Sequence, residues 1–165
     1  QLKFIDRNPN IGLCGSFMEI FGEVQNKSVR KYSQDDGDLR RLIFRQNPVA
    51  QPACIMRRSV LDSAGGYNDF FVSEDLDVFF RMGEISKFGN IQKILVRYRV
   101  HRNSLTNLKL REMEFSTLRI RKRYAGSGFY NFSIVDFLYN LLQFVSIYLL
   151  PSKLRIKLFN LIRNV

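Results

Sequence analysis

One apolar stretch constrains the fold of this chain more than any other feature: residues 11–21, with the sequence IGLCGSFMEIF. An apolar run of this length, bounded by polar residues, is typical of a strand buried within a sheet. Gly12 and Gly15 interrupt the run, as glycine does where another part of the chain approaches the strand closely. The sequence therefore predicts a buried strand at residues 11–21.

Shorter helices and strands are predicted on both sides of this strand. Asn-Pro pairs at 8–9 and 47–48 mark helix ends, because the residue before proline disfavours the helical conformation. Gly65-Gly66 suits the left-handed end of a helical turn. Helices are predicted for residues 1–8, 39–46, 59–64 and 74–88, strands for 49–57 and 91–101, and a polar loop for 25–38. These elements predict an α/β fold, a mixed sheet with flanking helices.

The rest of the chain predicts a helical tail, with helices from Ser104 to about Tyr124, over 133–150 and over 152–165. The middle helix would span about 27 Å, slightly less than a hydrocarbon core of about 30 Å. Its polar residues recur every three or four positions and form one stripe: Ser133, Asp136, Asn140, Gln143 and Ser146. Such a stripe argues against a helix that crosses a membrane alone.

Positive charge is concentrated in this tail. Residues 97–165 contain 13 Lys/Arg and 3 Asp/Glu, whereas residues 1–96 contain 13 and 12. The last helix combines an apolar face with basic residues, which suits a helix lying on an anionic membrane surface. The alternative is a pair of helices that pack on the domain and present an ordinary basic surface.

Cys14 and Cys54 both lie in apolar, strand-like runs. They are predicted to be small core residues in a reducing compartment rather than a disulfide. The chain has no Cys-x-x-Cys pair and no Cys/His cluster, which argues against a structural zinc site.

Three carboxylates lie close together in FFVSEDLDVFFRM, residues 70–82: Glu74, Asp75 and Asp77. The structural interpretation is that Ser73 caps a helix and the acids complement its dipole. The functional interpretation is that a carboxylate kept ionised at the helix N-terminus acts as a general base. Asp77 lies deeper in the helix and is expected to be solvated or salt-bridged.

The order of motifs around these acids resembles that of family 2 glycosyltransferases of GT-A fold. The matching pieces, in chain order, are Asn47-Pro48, Met56-Arg57-Arg58, Gly65-Gly66-Tyr67, Ser73-Glu74-Asp75, Arg81 and Tyr98-Arg99-x-His101. The series GGY…ED…YRxH is the most specific part of this resemblance. It implies that residues 1–104 form the acceptor-side half of a GT-A catalytic domain, and that residues 105–165 form an amphipathic, basic helical region.

The resemblance also assigns roles to single residues. Asp75 matches the base that deprotonates the acceptor hydroxyl, and Glu74 would help to shape the acceptor site. Gly66 and Tyr67 match the turn that borders this site. His101 matches a residue that often faces the metal or pyrophosphate, although it is equally well interpreted as a surface histidine.

The nucleotide-binding half of such an enzyme would precede residue 1, and it would supply the main ligands of Mn²⁺ or Mg²⁺. Asp36-Gly37-Asp38 has the letters of an Asp-x-Asp motif but lies in a polar loop, so Asp36 and Asp38 are interpreted as loop and N-cap residues. Without that half, apolar sheet surface around Ile11 to Phe17 is expected to be uncovered, with self-association or local disorder as the result.

The implied activity is inverting transfer of a single sugar from a nucleotide-sugar to a saccharide or lipid-linked acceptor, in bacterial cell-surface polysaccharide synthesis. The processive-synthase signature Gln-x-x-Arg-Trp is missing. The expected location is cytoplasmic, peripheral at the inner face of the plasma membrane. The alternative is a non-catalytic basic module that binds anionic membrane or nucleic acid, with the aromatic and Arg residues of 97–102 stacking on bases. No nucleic-acid-binding signature supports that last partner.

Overall fold

The computed structural model describes residues 1–23, 27–68, 72–101 and 108–163, and it confirms the predicted α/β class. A four-stranded mixed sheet is flanked by helices and followed by a helical C-terminal part. In chain order the elements are α1 Leu2–Arg7, β1 Ile11–Gly22, β2 Ser28–Arg30, α2 Asp36–Leu42, β3 Ile55–Met56, α3 Arg58–Ser63, α4 Glu74–Ile85, β4 Lys87–Val100, α5 Leu110–Tyr124, α6 Ile134–Leu149 and α7 Ser152–Arg163.

The predicted buried strand is β1, and every other strand of the sheet pairs with it. β4 runs parallel to β1 along its whole length, while β2 and β3 pair antiparallel with different stretches of it. Gly15 confirms the predicted close approach, because a Cβ at this position would lie 2.8 Å from Cβ of Val49.

The expectation that sheet surface around Ile11 to Phe17 would be uncovered is wrong. Residues 12–16 are buried, and Leu13 and Cys14 are fully enclosed. The covering elements belong to this chain: α1, α4, β4 and the 3₁₀ turn Gln51–Ala53 all contact β1. The physical reason given for self-association is therefore absent, and self-association stays a prediction.

Aromatic side chains join the sheet side of the fold to the helical tail. Phe80 of α4 stacks on Tyr124 of α5 with ring centroids 4.5 Å apart, and it also contacts Phe44 and Tyr130 at 5.2 and 5.1 Å. All four residues belong to one buried cluster. The predicted boundary at residue 104 lies outside the described residues.

Several predicted elements have wrong limits. The polar loop predicted for 25–38 contains β2, the helix predicted for 39–46 spans Asp36–Leu42, and the strand predicted for 91–101 spans Lys87–Val100. The strand predicted for 49–57 is reduced to Ile55–Met56, because Pro52 lies in the 3₁₀ turn Gln51–Ala53. The helix predicted to reach Phe88 ends at Ile85, since the chain must be extended from Lys87 onward to pair with β1.

The helix predicted over 133–150 is confirmed as α6. Ser133 and Asp136 form a reciprocal cap: Ser133 Oγ accepts from the backbone N of Asp136 at 3.2 Å, and Asp136 Oδ2 accepts from the backbone N of Ser133 at 2.9 Å. Pro151 follows its end. The predicted start of the preceding helix at Ser104 lies outside the described residues. Of the helices that the structure describes, none is both long and apolar enough to cross a membrane.

Candidate functional site

Asp75 lies in the first turn of α4 and is half-buried. Its Oδ2 accepts a hydrogen bond of 3.0 Å from Asn47 Nδ2, and its Oδ1 accepts one of 2.8 Å from the backbone N of Leu76. None of the ion pairs between described residues includes Asp75. Neutral donors therefore hold this carboxylate.

The surroundings of Asp75 raise its pKa above the ordinary value of 3.8. Burial is the largest cause, and the charge of Glu74 adds to it, because both disfavour a second negative charge in this place. The hydrogen bonds from Leu76 and Asn47 oppose the shift, since they favour the ionised form. The net upward direction makes Asp75 a better proton acceptor than an exposed aspartate.

Tyr67 and Glu74 lie near Asp75, so three of the residues predicted for the site come together. Burial raises the pKa of Tyr67, and the negative charges of Asp75 and Glu74 raise it further. The ring remains 45% exposed, and its hydroxyl donates to Met56 Sδ at 3.9 Å. An amphipathic ring beside two carboxylates offers a ligand both an apolar face and hydrogen-bond acceptors.

An open cavity of about 670 Å³ lies at α1 and β3, and Asp75, Glu74 and Tyr67 are not among the residues that line it. Its walls include Ile5, Asp6, Met56 and Arg57. Met56 links the cavity to the site, because the Tyr67 hydroxyl bonds to its sulfur.

The turn before Tyr67 is fixed from α4. Gly65 and Gly66 have φ values of +82° and +64°, as the sequence predicted. Arg81 donates to the carbonyl oxygens of Ala64 and Gly66, the latter at 2.7 Å. Gly66 therefore supports the site through its backbone, whose left-handed conformation favours glycine.

Asp77 holds Arg81 in this position. Its side chain is completely buried, and Oδ2 accepts from Arg81 Nε at 2.9 Å and from Asn68 Nδ2 at 2.7 Å. Oδ1 accepts from the Tyr124 hydroxyl at 3.2 Å, and burial together with this carboxylate raises the pKa of Tyr124 to about 12. Of the two predicted states of Asp77, the salt-bridged one is confirmed and the solvated one is wrong.

His101 follows Val100, the last residue of β4, which pairs with Gly22 at the end of β1. His101 is exposed. That His101 belongs with Asp75, Glu74 and Tyr67 stays a prediction.

The carboxylates of the DGD segment are engaged within the protein. Asp36 accepts from the backbone N of Phe88 at 2.8 Å and from Arg40 at 2.7 Å, and Asp38 accepts from Ser33 and Arg41. Both lie in the first turn of α2, with Asp35 at the N-cap, so their interpretation as loop and N-cap residues is wrong.

A divalent metal needs several ligands in one place, and the described part of the chain contains no group of three His, Cys, Asp or Glu side chains able to hold one. These residues alone do not fit Mn²⁺ or Mg²⁺. That the main ligands lie in a nucleotide-binding half stays a prediction.

Sequence reasoning assigned no role in the site to three residues that lie beside Asp75 and Tyr67. Asn47 orients Asp75, and Gln51 lies beside Tyr67, where its side chain opposes the rise in the pKa of Tyr67. Cys54 is half-buried beside them; burial and the charge of Asp75 raise its pKa to about 12, so it stays a neutral thiol at physiological pH. Asn47-Pro48 was a signal for a helix end, but it did not indicate that Asn47 faces α4.

No protein-family model matches this chain, and no curated protein matches it. The likeness to family 2 glycosyltransferases therefore depends on the motif series alone and stays a prediction.

Proposed function

We propose that this chain is the acceptor-side part of an inverting, nucleotide-sugar-dependent glycosyltransferase. The observation that carries the proposal is the environment of Asp75: a half-buried carboxylate with a raised pKa, held by Asn47 and a backbone amide, beside Tyr67 and Glu74. A general base requires an ionisable group that is positioned, partly desolvated and not neutralised by a cation.

In the proposed reaction, Asp75 removes the proton from a hydroxyl of the acceptor. The oxygen attacks the anomeric carbon of the donor sugar from the side opposite the leaving group, and the bond to the nucleoside diphosphate breaks with its electron pair. The configuration at this carbon is thereby inverted, and one sugar is transferred in each turnover.

Glu74 and Tyr67 would position the acceptor. Tyr67 presents an exposed ring to an apolar face of the saccharide, and Glu74 accepts hydrogen bonds from its hydroxyls. The acceptor is a saccharide or a lipid-linked saccharide of the bacterial cell surface. In this proposal the nucleotide and its Mn²⁺ or Mg²⁺ are bound by a further half of the enzyme, and the chain works peripherally at the inner face of the plasma membrane.

The test is Asp75→Asn in a polypeptide that contains this chain and the nucleotide-binding half. Turnover should fall by about 10²- to 10⁴-fold, the usual contribution of a general base. Binding of the nucleotide-sugar should stay the same, because Asp75 faces the acceptor. Asp62→Asn is the matched control, since Asp62 is an exposed carboxylate on α3. Retained turnover in Asp75→Asn would remove this residue from the role.

The 165 residues alone should transfer no sugar, since they would hold only part of the donor site. Robust transfer by this chain alone would contradict the division into two halves. Direct comparison of both polypeptides in one assay, with the same nucleotide-sugar, decides the question.

The nucleic-acid alternative gains little support from the strand that suggested it. Arg97 lies over the Phe21 ring at 4.7 Å and pairs with Glu19, and Tyr98 packs against a buried cluster. These groups already have partners within the protein. An oligonucleotide binding series at rising salt tests this alternative, which requires strong binding and a steep loss with salt.

A further inference from the structure

Helix α6 is packed with its polar side toward the protein. Asp136 is 1% exposed and pairs with Arg45 at 2.6 Å. Asn140 donates to the carbonyl oxygen of Phe44 at 3.0 Å, and Arg121 donates to Asn140 and Gln143 at 3.2 and 3.0 Å. These contacts fix the rotation of the helix about its axis, because turning it would leave Asp136 and Arg121 buried without partners.

The apolar side of α6 consequently faces outward. Ten of its sixteen residues are large hydrophobic side chains that are 40–73% exposed: Ile134, Val135, Phe137, Leu138, Leu141, Leu142, Phe144, Val145, Tyr148 and Leu149. We call this set the outer face of α6. Exposed apolar surface of such extent on a protein marks a contact with a partner or a membrane.

Helix α7 continues the exposed apolar surface. Buried Arg155 pairs with Glu114 of α5 at 2.9 Å and thereby fixes the rotation of α7. Leu154 and Leu158 are left 43% and 40% exposed. Lys153 and Lys157 are exposed next to them.

Positively charged side chains lie beside the outer face of α6. Arg111 of α5 lies 5.7 Å from the ring centroid of Tyr148, which belongs to this face. Within residues 108–158, Glu112 is the one exposed acid, against seven exposed basic residues: Lys109, Arg111, Arg119, Lys122, Arg123, Lys153 and Lys157. An apolar face flanked by cations and aromatic rings suits the boundary between lipid headgroups and acyl chains.

We propose that the outer face of α6, together with the exposed side of α7, is the surface that docks on an anionic lipid bilayer, with α6 lying parallel to the membrane plane. The positive charge favours an anionic bilayer over a second copy of the chain as the occupant of this surface. Each copy carries a net charge of +11, so two copies would repel each other. The inference deepens the membrane placement of the proposed function and does not depend on the reaction that the protein catalyses.

Flotation of the full chain with vesicles tests the docking. Vesicles of phosphatidylcholine with phosphatidylglycerol should bind the protein, and vesicles of phosphatidylcholine alone should bind it more weakly. Added salt should reduce this difference in affinity, because it screens the attraction to the anionic lipid. The double variant L142Q/L149Q should lose about tenfold or more in affinity for both kinds of vesicle. Its unfolding midpoint should not change, since both leucines are about 70% exposed.

Two matched control variants test whether the position of the substituted residues, rather than their number and type, determines vesicle binding. L2Q/I85Q removes two exposed hydrophobic residues elsewhere and should leave binding unchanged. K153Q/K157Q should lose roughly tenfold on anionic vesicles only, whereas K31Q/K93Q removes the same charge far from α6 and α7 and should lose much less.

Three results would overturn the docking surface. These are no binding of the unchanged protein to anionic vesicles, equal losses in L142Q/L149Q and L2Q/I85Q, and a stable dimer in solution that L142Q/L149Q dissociates. The last result would assign the outer face to a second copy. Because the vesicle assay contains no nucleotide-sugar, none of these results bears on the role of Asp75.

Discussion

Helices α4 and α6 begin alike and pack in opposite ways. Each has an aspartate in its first turn that is buried in the fold, Asp77 in α4 and Asp136 in α6. However, α4 encloses most of its apolar side chains, including Phe79 and Phe80, whereas α6 turns most of its apolar side chains outward.

The difference shows that a buried carboxylate can decide which face of a helix points inward. In α4 the carboxylate and the apolar residues are buried together, because Arg81, Asn68 and Tyr124 surround Asp77. In α6 the partners of Asp136 and of the polar stripe lie on one side only. The rotation of α6 therefore satisfies these polar contacts and leaves most of its apolar side chains outside the core.

The largest expected contrast is between two truncations. Phe80→Ala should lower the free energy of unfolding by about 3–5 kcal/mol, since Phe80 is completely buried and contacts three aromatic rings. Leu142→Ala should change it by less than about 0.5 kcal/mol, because Leu142 is 69% exposed. Denaturation with urea measures both, and similar losses would contradict the opposite packing of the two helices.

Asp77→Asn should have the next largest effect, a loss of about 3 kcal/mol, because it leaves Arg81 without its buried counter-charge. Asp62→Asn removes a carboxylate from an exposed pair on α3 and should cost less than about 1 kcal/mol. Denaturation at pH 7 measures the free energy of unfolding of both variants. Equal losses would show that the buried pair of Asp77 and Arg81 contributes no more than the exposed pair on α3.

Asp136→Asn should cost about 2 kcal/mol at neutral pH, because Arg45 then loses its ionic partner. Burial alone would raise the pKa of Asp136, but hydrogen bonds from Ser133 and Arg45 outweigh it and lower the pKa below 3.8. The stabilisation is therefore full above pH 3.8 and is lost as the pH falls through the lower, folded-state value. Unfolding of both proteins from pH 7 to acid should show the difference shrinking; a constant difference would exclude an ionic contribution.

Asp75→Asn should have the smallest effect and the opposite sign. Because burial, followed by the charge of Glu74, raises the pKa of Asp75, its ionised form costs stability at all pH values above the folded-state pKa. Asp75→Asn should have a slightly higher free energy of unfolding than the unchanged protein at neutral pH. This difference should disappear below pH 3.8. A loss of stability at neutral pH would show that the bond to Asn47 outweighs the burial of charge.

Local signals predicted much of the fold. Asn8-Pro9 fixed the end of α1, Ser133 with Pro151 fixed both ends of α6, and the apolar run predicted β1. The end of α4 escaped prediction, because it depends on the pairing of the chain from Lys87 onward with β1 rather than on the helix's own residues. The length of β3 escaped prediction because the 3₁₀ turn that contains Pro52 replaces most of the expected strand.

The candidate site was predicted only in part for a related reason. Glu74, Asp75 and the glycine turn are near neighbours in sequence, and local patterns identified them. The contact between Asn47 and Asp75 joins residues 28 apart, and that between Asn140 and Phe44 joins residues 96 apart. Periodicity carries no information on such distant partners, so neither the orientation of Asp75 nor the inward polar stripe could be read from the sequence.

One carboxylate is shared by two parts of the molecule. Tyr124, on the first helix of the tail, donates a hydrogen bond to one oxygen of Asp77. Arg81, which also donates to the glycine turn, pairs with the other oxygen. Because both hydrogen bonds end on Asp77, weakening one of them should also weaken the other. The tail and the glycine turn should therefore lose rigidity together. In Asp77→Asn, amide hydrogen exchange should therefore accelerate both at the Gly65-Gly66 turn and around Tyr124.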